Sequence, residues 1–91
     1  MSYSALPGGD LVTTGLCDLE CGVESEASLL VSIGEPRLRR LGMQVTNPLA
    51  DPEHRLYERL AAVDPHSAHS RYNALIRRLV SFERAAECVR P

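Results

Sequence analysis

Lysine is absent from this 91-residue sequence, and aromatic residues are limited to one phenylalanine and three tyrosines. So few rings disfavour a base-stacking platform for single-stranded nucleic acid. No run of about 18 apolar residues is present, so we expect no membrane span and no membrane partner. The first ten residues lack the basic and apolar regions of a secretory signal. These absences predict a cytoplasmic protein.

Chemistry-bearing motifs are equally scarce. Three cysteines, Cys17, Cys21 and Cys88, are an odd number, which argues against a disulfide framework. Neither the Cys17/Cys21 pair nor the pair His66 and His69 has the spacing of a recognised zinc site. The cysteine pair could have a redox or metal role, although two small residues in a flexible segment is the simpler interpretation. With no nucleophile beside a His/Asp arrangement and no glycine-rich phosphate loop, we expect no enzyme activity, metal, cofactor or small-molecule substrate.

Basic residues are missing from positions 1–36, which carry six acidic side chains. All ten arginines follow, so a segment of charge −6 precedes one of charge +4. Residues 1–26 are rich in Gly, Ser and Thr and lack periodicity, which is typical of a disordered chain. We therefore predict an acidic, largely disordered N-terminal arm at 1–36 and a basic folded unit at 37–91.

One stretch, RRLGMQVTNP at residues 39–48, has the two-residue period of an amphipathic strand. Leu41, Met43 and Val45 fall on one face, and polar or small residues fall on the other. A single strand leaves its backbone hydrogen-bonding groups unpaired and its apolar face uncovered. A second copy of the chain would remedy both faults through an antiparallel two-stranded ribbon. We therefore predict a homodimer built around this ribbon.

Two helices are predicted after the strand. Asp51 is placed to cap the first, over residues 52–63, which has proline at its first position. The turn DPHSAHS interrupts the pattern, and the second helix begins between residues 65 and 70. Its apolar face joins the dimer core, to which we assign Leu41, Met43, Val45, Tyr72, Ile76 and Leu79. The earlier apolar run ASLLVSI, residues 27–33, could be a strand or a docking segment, because periodicity does not decide between them.

A strand and two helices in about 50 residues, the second helix opening with SRYNALIRRL, resembles the ribbon-helix-helix DNA-binding proteins of the Arc and MetJ class. The resemblance covers about residues 38–87. It implies a mainly α fold with one short strand and an intertwined homodimer whose two-stranded ribbon enters the DNA major groove. It says nothing about residues 1–36, for which the composition alone predicts a flexible N-terminal arm. It also implies sequence-specific binding of double-stranded DNA, by a transcriptional repressor or regulator or by a plasmid or mobile-element maintenance factor.

The resemblance further implies which side chains would contact DNA. Outward-facing strand residues read base edges, and these positions correspond to Arg40, Gln44 and Thr46. The start of the second helix would bind phosphate, at His66, Ser67, His69 and Ser70. Arg39 flanks the strand without a close acidic neighbour, so we add it to the predicted phosphate-binding residues. In several members of the family an extra segment binds a toxin or a partition ATPase, so the N-terminal arm is a candidate for contact with a protein partner.

A second hypothesis is a small helical protein-interaction adaptor, such as a phage or secretion accessory protein. On this hypothesis ASLLVSI and LGMQV pair as a hairpin within one chain, and the helices cover that hairpin. The acidic N-terminal segment would be the working surface, and the arginines would only keep the protein soluble. A dimer in sedimentation would favour the DNA-binding hypothesis, and a monomer would favour the adaptor.

Overall fold

Five α-helices follow a short 3-10 turn at Tyr3–Ala5 in the computed structural model, which describes residues 3–89. The helices are α1 (Gly9–Glu20), α2 (Glu26–Ile33), α3 (Glu35–Arg40), α4 (Pro52–Val63) and α5 (Ala68–Val89). Within these residues no strand is formed. The fold of the described chain therefore depends on helix–helix packing alone.

Helix α2 lies at the centre of the molecule. Leu29, Leu30 and Val31 are fully buried, and all four other helices contact α2. A helix that is apolar on nearly every side is typical of a core position. A capping box begins it: the Ser28 N–H donates to Ser25 Oγ, and the Ser25 N–H donates to Ser28 Oγ. The ASLLVSI run, for which the sequence left strand and docking segment open, is thus a buried helix.

The predicted ribbon-helix-helix fold is wrong, because the segment assigned to the ribbon is not a strand. Residues 43–46 are irregular, and Arg39 and Arg40 belong to α3. The hairpin of the adaptor hypothesis is absent for the same reason. Leu41 and Val45 are nevertheless buried at 4 % exposure each, in the core of their own chain. Alternating apolar residues are therefore covered here without any strand pairing.

The chain leaves α3 through a Schellman motif, which explains the irregular segment. Gly42 has φ +93°, a left-handed conformation that favours glycine. Its N–H donates to the Arg39 carbonyl at 3.0 Å, and the Met43 N–H donates to the Leu38 carbonyl at 3.0 Å. The motif RRLG thus ends a helix, with basic residues in the last turn and glycine just after it.

The N-terminal arm, predicted to be flexible, is folded. Val12 and Leu19 of α1 are each 1 % exposed and join the core. The Tyr3 ring packs edge-on against Phe82 of α5, with ring centroids 5.9 Å apart. The boundary predicted between residues 36 and 37 lies inside α3, and residues on both sides of it contribute to one core. Glycine and threonine lower the helix propensity of α1 without preventing its packing. The apolar stripe of this helix is therefore not evident from the sequence.

Both helices predicted after the turn cluster are confirmed. Helix α4 has the predicted bounds, 52–63, and α5 begins at Ala68, inside the predicted range. Asp51 is the N-cap residue of α4, but its side chain makes no capping hydrogen bond. Within residues 3–89, no helix combines the length and the hydropathy needed to cross a bilayer.

Helices α1 and α2 cross closely at Gly15. A Cβ atom on Gly15 would lie 2.3 Å from the Ala27 carbonyl oxygen and 2.5 Å from Val31 Cγ2. Real side chains do not tolerate such distances, so the two helices could not keep this separation with any larger residue there. The glycine costs about 1 kcal/mol in helix propensity relative to alanine, and the close crossing is what this glycine permits.

Substitution of Gly15→Val is expected to lower the free energy of unfolding by about 1–3 kcal/mol, because the new side chain must displace backbone of α2. Thr14→Val is the matched control, since Thr14 is exposed on the same helix, and it should change stability by less than about 0.5 kcal/mol. Urea unfolding followed by circular dichroism measures both variants. Equal losses in the two variants would contradict the close crossing.

Candidate functional site

An apolar groove of about 310 Å³ lies between α3 and α5. Its apolar walls are Ile33, Pro36, Ile76, Leu79 and Val80. Gly34, at the end of α2, also lines it, and a Cβ at this position would lie 3.0 Å from a Leu79 methyl and 3.2 Å from Glu83 Oε2. The glycine therefore lets the chain pass close to the two α5 side chains that line the groove.

Glu83 is the one charged residue buried among those the structure describes. Its side chain is 6 % exposed and lines the groove. The nearest cation is Arg37, whose Nη1 lies 3.6 Å from Glu83 Oε1. Arg37 is committed elsewhere, because its Nε and Nη2 donate to Glu87 at 3.0 and 2.7 Å. Among the described side chains the Glu83 carboxylate thus has a long ion pair and no hydrogen bond. The enclosed side-chain oxygen without a partner is that of Thr46, so the Glu83 oxygens keep contact with the groove.

Burial raises the pKa of the Glu83 carboxyl above its ordinary value of 4.5. Arg37 and Arg40 act in the opposite direction, and Glu87 adds to the increase. A titratable group that is perturbed by desolvation and faces a cleft is a candidate for a functional residue. The buried position beside the groove and the raised pKa therefore both identify Glu83 as a candidate functional residue.

Ion pairs within the chain join its acidic first part to its basic second part. One of these pairs, Glu35 with Arg39 at 2.7 Å, lies within α3. Three more join distant parts of the chain: Asp10 with Arg78 at 3.6 Å, Glu24 with Arg55, and Glu26 with Arg71 at 3.7 Å. All three are at the surface, where such pairs contribute about 0–1 kcal/mol each. These pairs matter more for function than for stability. The adaptor hypothesis uses the N-terminal acidic residues as a binding surface, but several of these residues already pair with arginines of the same molecule.

Four of the arginines in residues 3–89 have no acidic side chain within 4.0 Å: Arg40, Arg59, Arg77 and Arg84. Arg40 lines the groove. Arg77 and Arg84 stand three and four residues from Val80 on α5, so they neighbour the outer wall of the groove on the helix surface. We refer to Arg37, Arg40, Arg77 and Arg84 as the basic rim.

The side chains predicted to read bases do not lie on a strand. Arg40 is the last residue of α3, whereas Gln44 and Thr46 are in the loop that follows. Gln44 is exposed, while the Thr46 hydroxyl oxygen is buried with no hydrogen-bond partner among the described residues. Since the predicted mode of base reading required a ribbon, these three residues lose the structural basis of that assignment. DNA binding itself stays a prediction.

The predicted phosphate-binding residues lie in two places. Arg39 pairs with Glu35 at 2.7 Å and donates to the Val45 carbonyl at 2.9 Å, so it holds the loop against α3. The others do gather at the start of α5: His66, Ser67, His69 and Ser70. The His66 N–H donates to Asp64 Oδ1 at 3.0 Å, which places a carboxylate, itself unfavourable to an anion, beside this helix start.

The residues predicted to form a dimer core are covered within one chain. Leu41, Val45 and Leu79 are buried, and Met43, Tyr72 and Ile76 are half-buried against the same core. Tyr72 packs on Tyr57 of α4, with ring centroids 5.8 Å apart. Ile76 and Leu79 line the groove. The apolar face of α5 was thus identified from sequence, but part of it borders a groove.

The cysteine pair is exposed. Cys17 and Cys21 lie one turn apart at the end of α1, as free thiols. The neighbouring Cys21 raises the pKa of the Cys17 thiol, which disfavours the nucleophilic thiolate form. Across residues 3–89, no three His, Cys, Asp or Glu side chains are grouped so as to hold a metal ion.

Comparison with protein-family models, curated proteins and solved structures finds no match for this chain. The groove is the feature from which function is inferred. Sequence reasoning missed Glu83, although a signal was present: it follows Ile76 by seven residues and Leu79 by four, which is the apolar register of a helix. A carboxylate in that register is unusual enough to be singled out.

We expect the pH dependence of stability to report the burial of Glu83. Because its folded-state pKa is raised, the protonated carboxyl stabilises the fold. This contribution is fully present below the ordinary value of 4.5 and is lost as the pH rises through the raised value. Wild-type protein should therefore lose stability relative to Glu83→Gln as the pH rises above 4.5.

Urea unfolding at several pH values measures this difference. Glu20→Gln is the control, since Glu20 is exposed, and it should run parallel to wild type across the range. If Glu83→Gln also ran parallel to wild type, the carboxyl would not be desolvated in the folded state.

Proposed function

We propose that this protein is a helical protein-interaction module that binds an acidic, amphipathic segment of a partner protein in the groove between α3 and α5. The observation that carries the proposal is the combination of apolar walls, a buried carboxylate without a hydrogen bond, and the basic rim. On this proposal the protein acts by binding and not by catalysis, so it belongs with adaptors in the broad sense. Its binding surface is not the acidic N-terminal segment.

The size of the groove suits side chains of a partner. Its volume of about 310 Å³ is at the lower limit of small-molecule pockets, which range over about 300–1,000 Å³. An exposed apolar groove bordered by polar residues is typical of an interaction site. An amphipathic helix presents anchors at intervals of three and four residues, and such a helix can lay its apolar face into a groove of this kind.

The charge around the groove indicates the charge of the partner segment. The four arginines of the basic rim outnumber the two nearby carboxylates, Glu83 and Glu87. An acidic segment is complementary to this surface, and complementarity of this kind accelerates association and excludes partners of the wrong charge. A basic segment would meet repulsion on both sides of the groove.

Double-stranded DNA is the competing ligand, since arginines also bind phosphate. Two observations favour a peptide. The predicted DNA contact used a ribbon, which residues 3–89 do not form, and the centre of this surface is apolar and not basic. Phosphate contacts supply most of the affinity of DNA-binding proteins, and an apolar groove offers none.

Selection from a displayed library of random peptides, on the full-length protein, tests the proposal. Enriched peptides are expected to combine acidic residues with apolar anchors. They should lose binding to Val80→Phe, which fills the groove from a half-buried wall position. Enrichment of peptides without acidic residues, or binding unaffected by Val80→Phe, would contradict the proposal.

The contribution of the basic rim has a matched test. Arg40 and Arg59 are both exposed and both lack an acidic partner among the described residues, but only Arg40 lines this groove. Arg40→Glu should weaken binding of a selected peptide about tenfold, which is about 1.4 kcal/mol, whereas Arg59→Glu should leave affinity nearly unchanged. Fluorescence anisotropy at low and high salt measures both. Equal losses, or displacement of the peptide by random duplex DNA at low concentration, would favour a general basic surface and the DNA hypothesis.

A further inference from the structure

Glu83 faces the groove as an acceptor with unused capacity. A carboxylate can accept about four hydrogen bonds, yet no donor among the side chains and backbone groups that the structure describes reaches this one. The 3.6 Å separation from Arg37 Nη1 is longer than a hydrogen bond. Because the side chain is 6 % exposed and lines the groove, a donor from outside the chain has to approach through the groove.

We infer that the groove recognises an aromatic side chain carrying a hydrogen-bond donor, the indole N–H of tryptophan or the hydroxyl of tyrosine, with the Glu83 carboxylate as its acceptor. This inference rests on the proposed function, since the aromatic residue is the anchor of the acidic partner segment. It names the group that the segment inserts.

Charge decides against a cationic donor. A lysine or arginine from the partner would lie beside Arg37 and Arg40, which both line the groove, and would meet their repulsion. A neutral N–H or O–H meets no such repulsion. A hydrogen bond from a neutral donor to a carboxylate is charge-assisted and stronger than one between two neutral groups.

The apolar walls of the groove favour an aromatic ring. Serine and threonine carry a neutral donor, but they are too small to cover the apolar surface of Ile33, Ile76 and Val80. Phenylalanine and leucine cover that surface but leave Glu83 unsatisfied. Tryptophan and tyrosine combine a large apolar body with a single donor at its edge. The same two residues are enriched among side chains that dominate binding energy at protein interfaces.

Small aromatic probes test the inference on the full-length protein. Indole and 1-methylindole differ by a methyl group that removes the N–H donor. In NMR titrations of ¹⁵N-labelled protein, indole should shift the amide signals of Gly34, Val80 and Glu83. It should bind about tenfold more tightly than 1-methylindole, which corresponds to one charge-assisted hydrogen bond.

Two variants of Glu83 connect this preference to the carboxylate. Glu83→Met removes the acceptor at similar length and should abolish the preference for indole. Glu83→Gln retains an accepting oxygen without the charge and should keep part of the preference. If Glu83→Met fails to fold, the wild-type ratio and the glutamine variant still decide the outcome.

Equal binding of the two probes, or indole shifts confined to residues outside the groove, would overturn the inference. Its failure is distinguishable from failure of the proposed function. Acidic peptides that bind the groove through aliphatic anchors would overturn the aromatic donor and leave the interaction module standing. A preference for indole over 1-methylindole at Glu83, without enrichment of any acidic peptide, would support the donor site and reject the acidic partner.

Discussion

The burial of α2 is the constraint on which the rest of this structure depends. Its apolar residues Leu29, Leu30 and Val31 are excluded from solvent on all sides, so every other helix has to present an apolar stripe to it. The coverage is unequal. Helix α3 has six residues and α5 has 22, which correspond to about 9 Å and about 33 Å of length. A short helix beside a long one leaves part of the long one uncovered, and the groove lies along that part of α5.

Glu83 lowers the stability of the fold at the groove, and the proposed binding gives a reason for a carboxylate there. An apolar residue at position 83 would continue the helical register of Ile76 and Leu79 and avoid the desolvation of a carboxylate. Replacing a buried charge by a hydrophobic residue of similar volume is often neutral or stabilising. A buried group that costs stability and lacks a hydrogen bond is the kind of feature that functional sites retain. This is why Glu83, rather than the exposed histidines or cysteines, is the residue on which the proposed binding is built.

The ion pairs of the folded chain determine which charged residues remain available for binding. The division into an acidic first part and a basic second part suggested two units with separate partners. In the folded molecule acids of the first part lie against arginines of the second, at Asp10 and Arg78 for example. Among the arginines left without acids, Arg40 lines the groove, and Arg77 and Arg84 are helix neighbours of its wall residue Val80. A chain of net charge −2 thus has a basic surface around one apolar groove, which net charge alone does not predict.

The sequence is sufficient to predict α4 and the start of α5, because their amphipathic period and the turn between them agree with one helical solution. It did not determine the segment around Gly42. Alternation of Leu41, Met43 and Val45 fits a strand, whereas RRLG fits a helix C-terminus, and the two local signals conflict. The ASLLVSI run was undecided because a helix covered on every side has no amphipathic period to detect. Tertiary packing decided both segments, since only the folded core shows where Leu41 and Val45 are buried and what surrounds α2. It also decided the site: the sequence identified Ile76 and Leu79 as apolar, but the position of α3 beside them makes their face a groove.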